Sequence, residues 1–162
     1  VTGVQTCALP ISVGAGAGGQ MIEVTSDRAR MDVDRIHAWL ASSYWATGIP
    51  RETLVRAMDR SVCFGAFVDG VQVGFARAVT DATTYAYVCD VIVDEAWRGR
   101  GVGKALMGAL MAHPDLQGLR RMGLVTRDAH ALYSQMGFAP LAFPDRHMEI
   151  TRRSPYLDAS GG

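Results

Sequence analysis

The sequence predicts one layered α/β (α+β) domain, in which helices cover both faces of a mixed sheet. Short apolar or alternating stretches, typical of strands, are interleaved with stretches whose apolar residues recur every three or four positions, typical of helices. Their order is strand, helices, antiparallel strands, then strand–helix–strand–helix–strand. The length of 162 residues and the hydrophobic content of 49% are enough for one core.

Residues 1–20 differ from the rest of the chain. Residues 1–11 match, without a gap, the translation of a sequencing-library adapter, and we interpret them as an artefact fused to the reading frame. Residues 12–20 are too rich in glycine to order themselves. We therefore expect an artefactual or disordered leader, with Met21 as the natural start and a single domain over residues 21–153.

The first part of the domain predicts a strand and two helices. The strand begins at Met21, where apolar residues alternate over a short run. Asp32 or Asp34 is expected to cap a first helix. Pro50 suits the first position of a second helix. The buried faces of these helices are expected to carry Val33, Ile36, Leu40, Leu54, Val55 and Met58.

Three strands are predicted next. Two strand-like runs, "VCFGAFV" and "VQVGFARAVT", meet at Asp69-Gly70, a dipeptide that favours tight hairpins. A further run, "TYAYVCDVIVDEA", is rich in β-branched and aromatic residues and predicts the third strand.

The C-terminal part predicts two more strand–helix units. A helix with one buried stripe begins near Val102 and stops before Pro114. A short strand over 122–126 leads into a helix that Gly137 terminates. "RHMEITR", residues 146–152, predicts a last strand, and residues 154–162 are polar and small, so a frayed C-terminal tail is expected.

Composition excludes several partner classes. Sixteen basic and 16 acidic side chains give zero net charge, whereas nucleic-acid binders usually have a basic excess. No apolar run approaches the roughly 18 residues that a membrane span requires. Three cysteines and four histidines show no metal-ligand spacing. We therefore expect no nucleic acid, membrane or metal partner, and a reduced, cytoplasmic setting.

The stretch "EAWRGRGVGKAL" places glycines where a helix must begin. A helix N-terminus leaves about four backbone N–H groups unpaired and carries roughly half a positive charge. Gly99, Gly101 and Gly103 let a ligand approach that backbone closely, and a phosphate or diphosphate suits it. The alternative is a glycine-rich turn with solvated charges. Positive potential is added by the basic residues Arg98, Arg100 and Lys104.

Two separate motifs resemble the GNAT N-acetyltransferase superfamily. Arg98, Gly101 and Gly103 fit its R/Q-x-x-G-x-G/A signature, whereas the spacings of the Rossmann and Walker motifs fail. "AHALYSQMGF" is similar to its later A-x-x-L-Y-x-x-x-G-F helix. The resemblance covers about residues 22–150.

The resemblance implies a mostly antiparallel central sheet in which one parallel strand pair splays apart, through Val91 and Val125. Acetyl-CoA is expected in that gap as the acyl donor. Its diphosphate is expected at the glycine segment and its pantetheine along the preceding strand. Thr126 stands where many relatives carry a pantetheine-binding asparagine. The expected cofactor-binding residues are Val91, Ile92, Val93, Arg98, Gly99, Arg100, Gly101, Val102, Gly103, Lys104 and Thr126.

The resemblance also implies the chemistry. Acetyl transfer needs a neutral amine, a donor to the acyl oxygen and a proton for the leaving thiolate. Tyr133 aligns with the family tyrosine that protonates the coenzyme A sulfur; packing is its alternative role. Asp90 precedes the cofactor strand and is a candidate general base, or else a strand-end or substrate-orienting carboxylate.

The acceptor side is expected among aromatic residues. Trp45 lies in a loop between the first helices, and Tyr85 and Tyr87 alternate along the cofactor strand. These residues are candidate acceptor-binding residues, and ordinary packing is the alternative. The hypothesis is an acetyl-CoA-dependent N-acetyltransferase that acts on a small-molecule or peptide amine directly, as in similar proteins, without a covalent acyl-enzyme. The alternatives are a non-catalytic acyl-CoA-binding or sensing module, and an interaction domain without nucleotide ligands. Similar proteins are often homodimers.

Overall fold

The computed structural model describes residues 11–15, 19–152 and 155–157, and in it one six-stranded sheet runs in the order β1-β2-β3-β4-β5-β6. Four neighbouring pairs are antiparallel, and only β5 and β6 are parallel. The mixed, mostly antiparallel sheet predicted from the sequence is therefore confirmed. Its strands are β1 Ile11–Ala15, β2 Met21–Thr25, β3 Val62–Val68, β4 Val71–Thr80, β5 Tyr85–Val93 and β6 Arg121–Leu124.

Helices cover both faces of this sheet, as predicted. On one face, α3 packs its buried stripe against the core that includes Phe64 and Ala76. On the other face, α1 and α2 close a second core around Phe75. Phe75 and Ala76 belong to opposite cores because successive strand residues point to opposite faces. The helices are α1 Val33–Ala41, α2 Arg51–Met58, α3 Val102–Ala112 and α4 His130–Ser134.

Local signals account for several boundaries. The Asp32 side chain accepts a hydrogen bond from the Arg35 backbone N–H at 3.0 Å and caps α1. Pro50 is the cap residue of α2, one position before the predicted one. At the β3–β4 hairpin, Asp69 and Gly70 both have positive φ, 49° and 78°, as a two-residue type I′ turn requires.

The parallel pair β5–β6 separates as the sequence resemblance implied. Pairing begins at Tyr85 opposite Arg121 and ends at Val88 opposite Leu124. β5 then continues to Val93, still paired with β4 on its other side. A gap therefore opens between the second half of β5 and the chain that follows β6.

The C-terminal part departs from the predictions. The predicted strand over residues 146–152 is wrong: a 3₁₀ turn ends at Arg146, and the residues after it pair with no strand. Met148 and Ile150 are 98% and 99% exposed, because an alternating pattern without a neighbouring strand buries nothing. The predicted helix after β6 is also shorter, five residues long.

The two ends of the chain are more ordered than expected where they are described. β1 lies within the expected leader and pairs with β2, whose edge supplies the backbone partners that its own sequence does not predict. Tyr156, in the expected frayed tail, packs against the core beneath α1 and α2. Residues 1–10, including most of the adapter-like stretch, lie outside the described residues, so that interpretation stays a prediction.

None of the helices in the described ranges is long and apolar enough to cross a membrane.

Leu110→Ala should lower the free energy of unfolding by about 2–5 kcal/mol, because Leu110 is completely buried between α3 and the sheet and its loss leaves a cavity. Urea denaturation measures this change. Leu141→Ala is the matched control, since Leu141 is 52% exposed and its truncation should change stability by under about 0.5 kcal/mol. Equal losses in the two variants would contradict the described core.

Candidate active site

A cavity of about 800 Å³ occupies the gap between β5 and the chain after β6. The second half of β5 forms one wall, and residues 125–129 with the side of α4 form the opposite wall. The loop between α1 and α2 closes a third side. A smaller cavity of about 400 Å³ lies against the start of α3. The two adjoin, since both are lined by Val93, Arg98, Gly103 and Leu132.

The smaller cavity faces the uncapped N-terminus of α3. Gly99 and Gly101 have φ of 73° and 87°, a left-handed conformation that glycine adopts without strain. Gly101 is the cap residue and supplies no side-chain hydrogen bond, so the first amides of the helix lack a side-chain partner. A Cβ added to either glycine meets nothing within 4 Å. The backbone here is open to a ligand, and anions favour such a helix end.

The predicted basic residues are arranged unequally around this helix end. Arg98 and Lys104 line the smaller cavity. Arg98 Nε also donates to the backbone oxygen of Val93 at 3.4 Å. Arg100 instead stacks over the Trp97 ring, 5.0 Å from its centroid, and does not line either cavity. Val102 is buried in the core, so only its backbone is available to a ligand.

β5 contains a bulge at the centre of the larger cavity. Ile92 pairs with Phe75, but Cys89 pairs with Arg77, so β5 has one residue more than β4 in this interval. Asp90 lies in the bulge with φ of 53°, a conformation uncommon outside glycine. The following residues, Val91, Ile92 and Val93, which the sequence analysis expected to bind pantetheine, also line this cavity.

The Asp90 carboxylate is engaged through both of its oxygens. Arg77 Nε donates to Oδ2 at 2.8 Å, and Trp45 Nε1 donates to Oδ1 at 3.2 Å. The Asp90 and Arg77 side chains are only 10% and 15% exposed. Burial acts to lower the pKa of Arg77, but the charge and hydrogen bond of Asp90, together with the neighbouring Cys89 and Cys63, outweigh burial and hold that pKa above its usual value. The geometry thus favours an orienting carboxylate over a free proton acceptor.

Tyr133 lies on α4 in the wall opposite β5. Its ring is half-buried and meets Phe138 edge to face, with centroids 6.0 Å apart. Burial raises the pKa of the Tyr133 phenol, and Tyr44 and Asp128 raise it further. The hydroxyl therefore keeps its proton at neutral pH and is available as a donor.

Thr126 lines the same wall and orders the turn that leads into α4. Its Oγ1 accepts a hydrogen bond from the Ala129 backbone N–H at 3.0 Å. That bond uses the oxygen and leaves the hydroxyl hydrogen available to a ligand.

The predicted acceptor residues are only partly brought together. Trp45 and Tyr87 line the larger cavity, whereas Tyr85 lies outside its lining and places its hydroxyl beside Gly123 of β6. Tyr44, the aromatic neighbour of Trp45, also lines this cavity. The structure adds Arg77, which binds Asp90 and which the sequence analysis missed. An arginine within the apolar run "VGFARAV" was a readable signal, because a buried charge requires a partner.

The described cysteines are poor nucleophiles. Burial raises the pKa of both Cys63 and Cys89 to about 12, so that both remain thiols at neutral pH. Cys89 nevertheless lines the larger cavity. Among the residues that the structure describes, no group of three or more His, Cys, Asp or Glu side chains is placed to hold a metal ion.

Comparison with known proteins agrees with this geometry. A model of the acetyltransferase (GNAT) family matches residues 31–138. Protein FG08082 of Gibberella zeae, named as an acetyltransferase, is 32% identical over an alignment covering 69% of this chain and 75% of that protein.

Two solved structures share the fold. A GNAT-family protein from Xanthomonas campestris pv. campestris is 50% identical, with a TM-score of 0.81 over 83% of this chain and 96% of that chain. Rv2747 from Mycobacterium tuberculosis, in complex with CoA and NLQ, is 26% identical, with a TM-score of 0.58 over 73% of this chain and 72% of that chain.

Cys89 should react with iodoacetamide at pH 8 at least about 100-fold more slowly in the folded protein than after denaturation, because its raised pKa leaves little thiolate. Peptide mass spectrometry after timed quenching measures each cysteine separately. Because the pKa of Cys89 is raised, the reactivity of the native thiol should increase only as pH rises toward 12. Rapid labelling of native Cys89 at pH 8 would contradict the described burial.

Proposed function

Since the chain belongs to the acetyltransferase (GNAT) family, we propose that it transfers an acetyl group from acetyl-CoA directly to an amine of a small molecule or peptide. The observation that carries this proposal is the gap between β5 and β6, which leads directly to the uncapped N-terminus of α3. A long donor with an acyl end and a phosphate end fits such a pair of adjoining cavities. We assign this activity to a domain over residues 21–153.

The residues at the start of α3 suit the diphosphate of acetyl-CoA. Backbone N–H groups of residues 99–104 supply donors that no side chain of the cap occupies. Arg98 and Lys104 add positive charge at the same cavity. A side chain on either left-handed glycine would project into the open space where the phosphates are expected. The bare glycine backbone therefore leaves room for a diphosphate at this helix end.

The second half of β5 suits the pantetheine arm. Beyond Val88 its edge toward β6 carries no ladder partner, so the backbone of Val91, Ile92 and Val93 is available for strand-like hydrogen bonds. Thr126 faces this segment across the cavity and can donate its hydroxyl hydrogen. A backbone N–H near Ile92 or Val93 is the proposed donor to the acyl oxygen.

Tyr133 is the proposed general acid. When bound, acetyl-CoA supplies a thioester carbon, to which the neutral amine forms a C–N bond while the C–S bond breaks. Tyr133 then donates its phenolic proton to the leaving sulfur, and the amine nitrogen loses a proton to solvent. The raised pKa of the phenol keeps that proton in place until it is required.

Direct transfer is favoured over a covalent acyl-enzyme. Cys89 is the one described cavity-lining cysteine, and its pKa of about 12 leaves no thiolate to take the acetyl group at neutral pH.

Gly101→Glu should abolish binding of coenzyme A, since it places bulk and negative charge where the diphosphate is expected. Calorimetry measures the affinity, and thermal melts check the fold. Coenzyme A at about 100 times its Kd should stabilise the parent by about 2.7 kcal/mol and the variant not at all. Gly118→Glu is the matched control: Gly118 also has positive φ and open space around it, but lies outside both cavities. Unchanged affinity in folded Gly101→Glu would refute the diphosphate site.

Tyr133→Phe should lower kcat by about 100-fold or more while leaving the affinity for coenzyme A unchanged, because it removes the proton donor and keeps the ring. Thiol release from acetyl-CoA over an amine panel measures turnover. Tyr156→Phe is the control for loss of a phenol elsewhere, since Tyr156 lies outside both cavities. A parent protein that binds acetyl-CoA but acetylates no amine would support a non-catalytic acyl-CoA-binding module instead.

A further inference from the structure

The acceptor end of the larger cavity has an aromatic wall, formed by Tyr44, Trp45 and Tyr87. These residues are 48%, 44% and 36% exposed, so each leaves apolar surface uncovered by the rest of the protein. Tyr44 and Trp45 meet edge to face with centroids 4.8 Å apart. Apolar surface of this kind favours a ligand with an apolar body.

Trp45 is held in this wall by a buried ion pair. Its indole N–H donates to Asp90, and the same carboxylate accepts from Arg77 on the neighbouring strand. Arg77 Nη1 in turn donates to the hydroxyl of Ser61, the residue before β3, at 2.9 Å. The network therefore ties an exposed aromatic ring in a loop to the interior of the sheet.

Tyr44 is held from the other side of the cavity. The Arg127 backbone N–H donates to its hydroxyl oxygen at 3.3 Å. The Arg127 guanidinium also stacks on the Tyr44 ring, 3.8 Å from the centroid. The two contacts connect the α1–α2 loop with the loop before α4, so the aromatic wall is supported from both sides of the gap.

The one buried carboxylate along the cavity in the described residues is already paired. Two acidic residues line the cavity in the described structure, Asp90 and Asp128. Arg77 neutralises Asp90, which is buried, whereas Asp128 is 66% exposed at the rim of the cavity, where Arg127 Nη2 lies 3.4 Å from its Oδ2. Glu149, whose charge acts on Tyr87, lies outside the lining. A second ammonium group that reached past this rim toward Asp90 would therefore lose its hydration without gaining an unpaired carboxylate.

We propose that the acceptor site selects monoamines with an apolar or aromatic body, which packs on Trp45, and disfavours polyamines. Asp90 is then a positioning residue that orients Trp45, and not the general base. This inference rests on the proposed acetyl transfer and adds to it the class of acceptor.

The charge preference is tested with a pair of amines of equal length, hexylamine and hexane-1,6-diamine, and with 2-phenylethylamine as the aromatic monoamine. Affinity is measured by calorimetry on the coenzyme A complex, and kcat/KM by thiol release. Affinity and kcat/KM should both be at least about tenfold higher for each monoamine than for the diamine. The two equivalent amino groups of the diamine by themselves would give it a statistical advantage of about twofold. Equal or better binding of the diamine would overturn the inference.

The calorimetric readout separates this inference from the proposed function. A tenfold affinity preference for the monoamines supports the acceptor class even if no amine is acetylated, whereas that lack of turnover refutes the proposed transfer. If amines are acetylated and the diamine is the preferred acceptor, the result supports the proposed transfer and refutes the proposed acceptor class.

The positioning role is tested with Asp90→Asn and Trp45→Phe. Asp90→Asn keeps an oxygen for the indole but removes the charge that faces Arg77, and Trp45→Phe removes the indole donor while leaving the ion pair intact. Each should raise KM for 2-phenylethylamine at least about fivefold, with kcat within about threefold and KM for acetyl-CoA unchanged.

The pH profile distinguishes positioning from base catalysis. Under our proposal, the profile of kcat in Asp90→Asn keeps its shape, because the carboxylate transfers no proton. A fall in kcat of about 100-fold or more, with loss of the acidic limb, would identify Asp90 as a base and overturn the positioning role. If Asp90→Asn does not fold, Trp45→Phe decides, and an unchanged acceptor KM in that variant counts against the proposal.

Discussion

The end of the parallel pairing between β5 and β6 is the constraint on which the site depends. Four residue pairs join these strands, and the pairing stops at Val88 and Leu124. Had it continued, the backbone of β5 would be satisfied by β6 and no cavity would exist. Because the strands diverge, a stretch of sheet edge is exposed inside the protein, and the end of α3 lies at one end of the same gap.

Two kinds of backbone irregularity equip this gap to bind a ligand. Gly99 and Gly101 take left-handed conformations that leave the helix start bare, so that its amides and dipole face the smaller cavity. The bulge in β5 moves the strand out of register at Asp90 and directs that side chain toward Arg77 and Trp45. One irregularity exposes donors for a ligand, and the other anchors the wall of the site.

For Asp90, the sequence pattern and the tertiary structure favour different roles. Its place before an apolar strand end makes it a reasonable candidate base from the sequence. In the fold, however, both oxygens are hydrogen bonded and the side chain is buried beside an arginine. A carboxylate whose two oxygens each accept a hydrogen bond from a different side chain is held in one orientation, which favours a role in orienting its neighbour. Arg77 and Trp45 are 13 and 45 residues away in the chain, so their meeting with Asp90 depends on strand register and on the path of a loop.

The sequence by itself determined the order of strands and helices from Met21 to Ser134, the turn at Asp69-Gly70, and the glycine-rich helix start. These features depend on local backbone preferences and on apolar periodicity. The sequence pattern gave wrong predictions where pairing with a neighbouring strand decides the structure. Residues 146–152 alternate like a strand but pair with no other strand, and Ile11–Ala15 pair with β2 although the glycine-rich composition of that region predicts no strand. The tertiary structure alone decided the width of the gap, the pairing of Asp90, and the contact of Tyr44 with Arg127, since each brings together groups from distant parts of the chain.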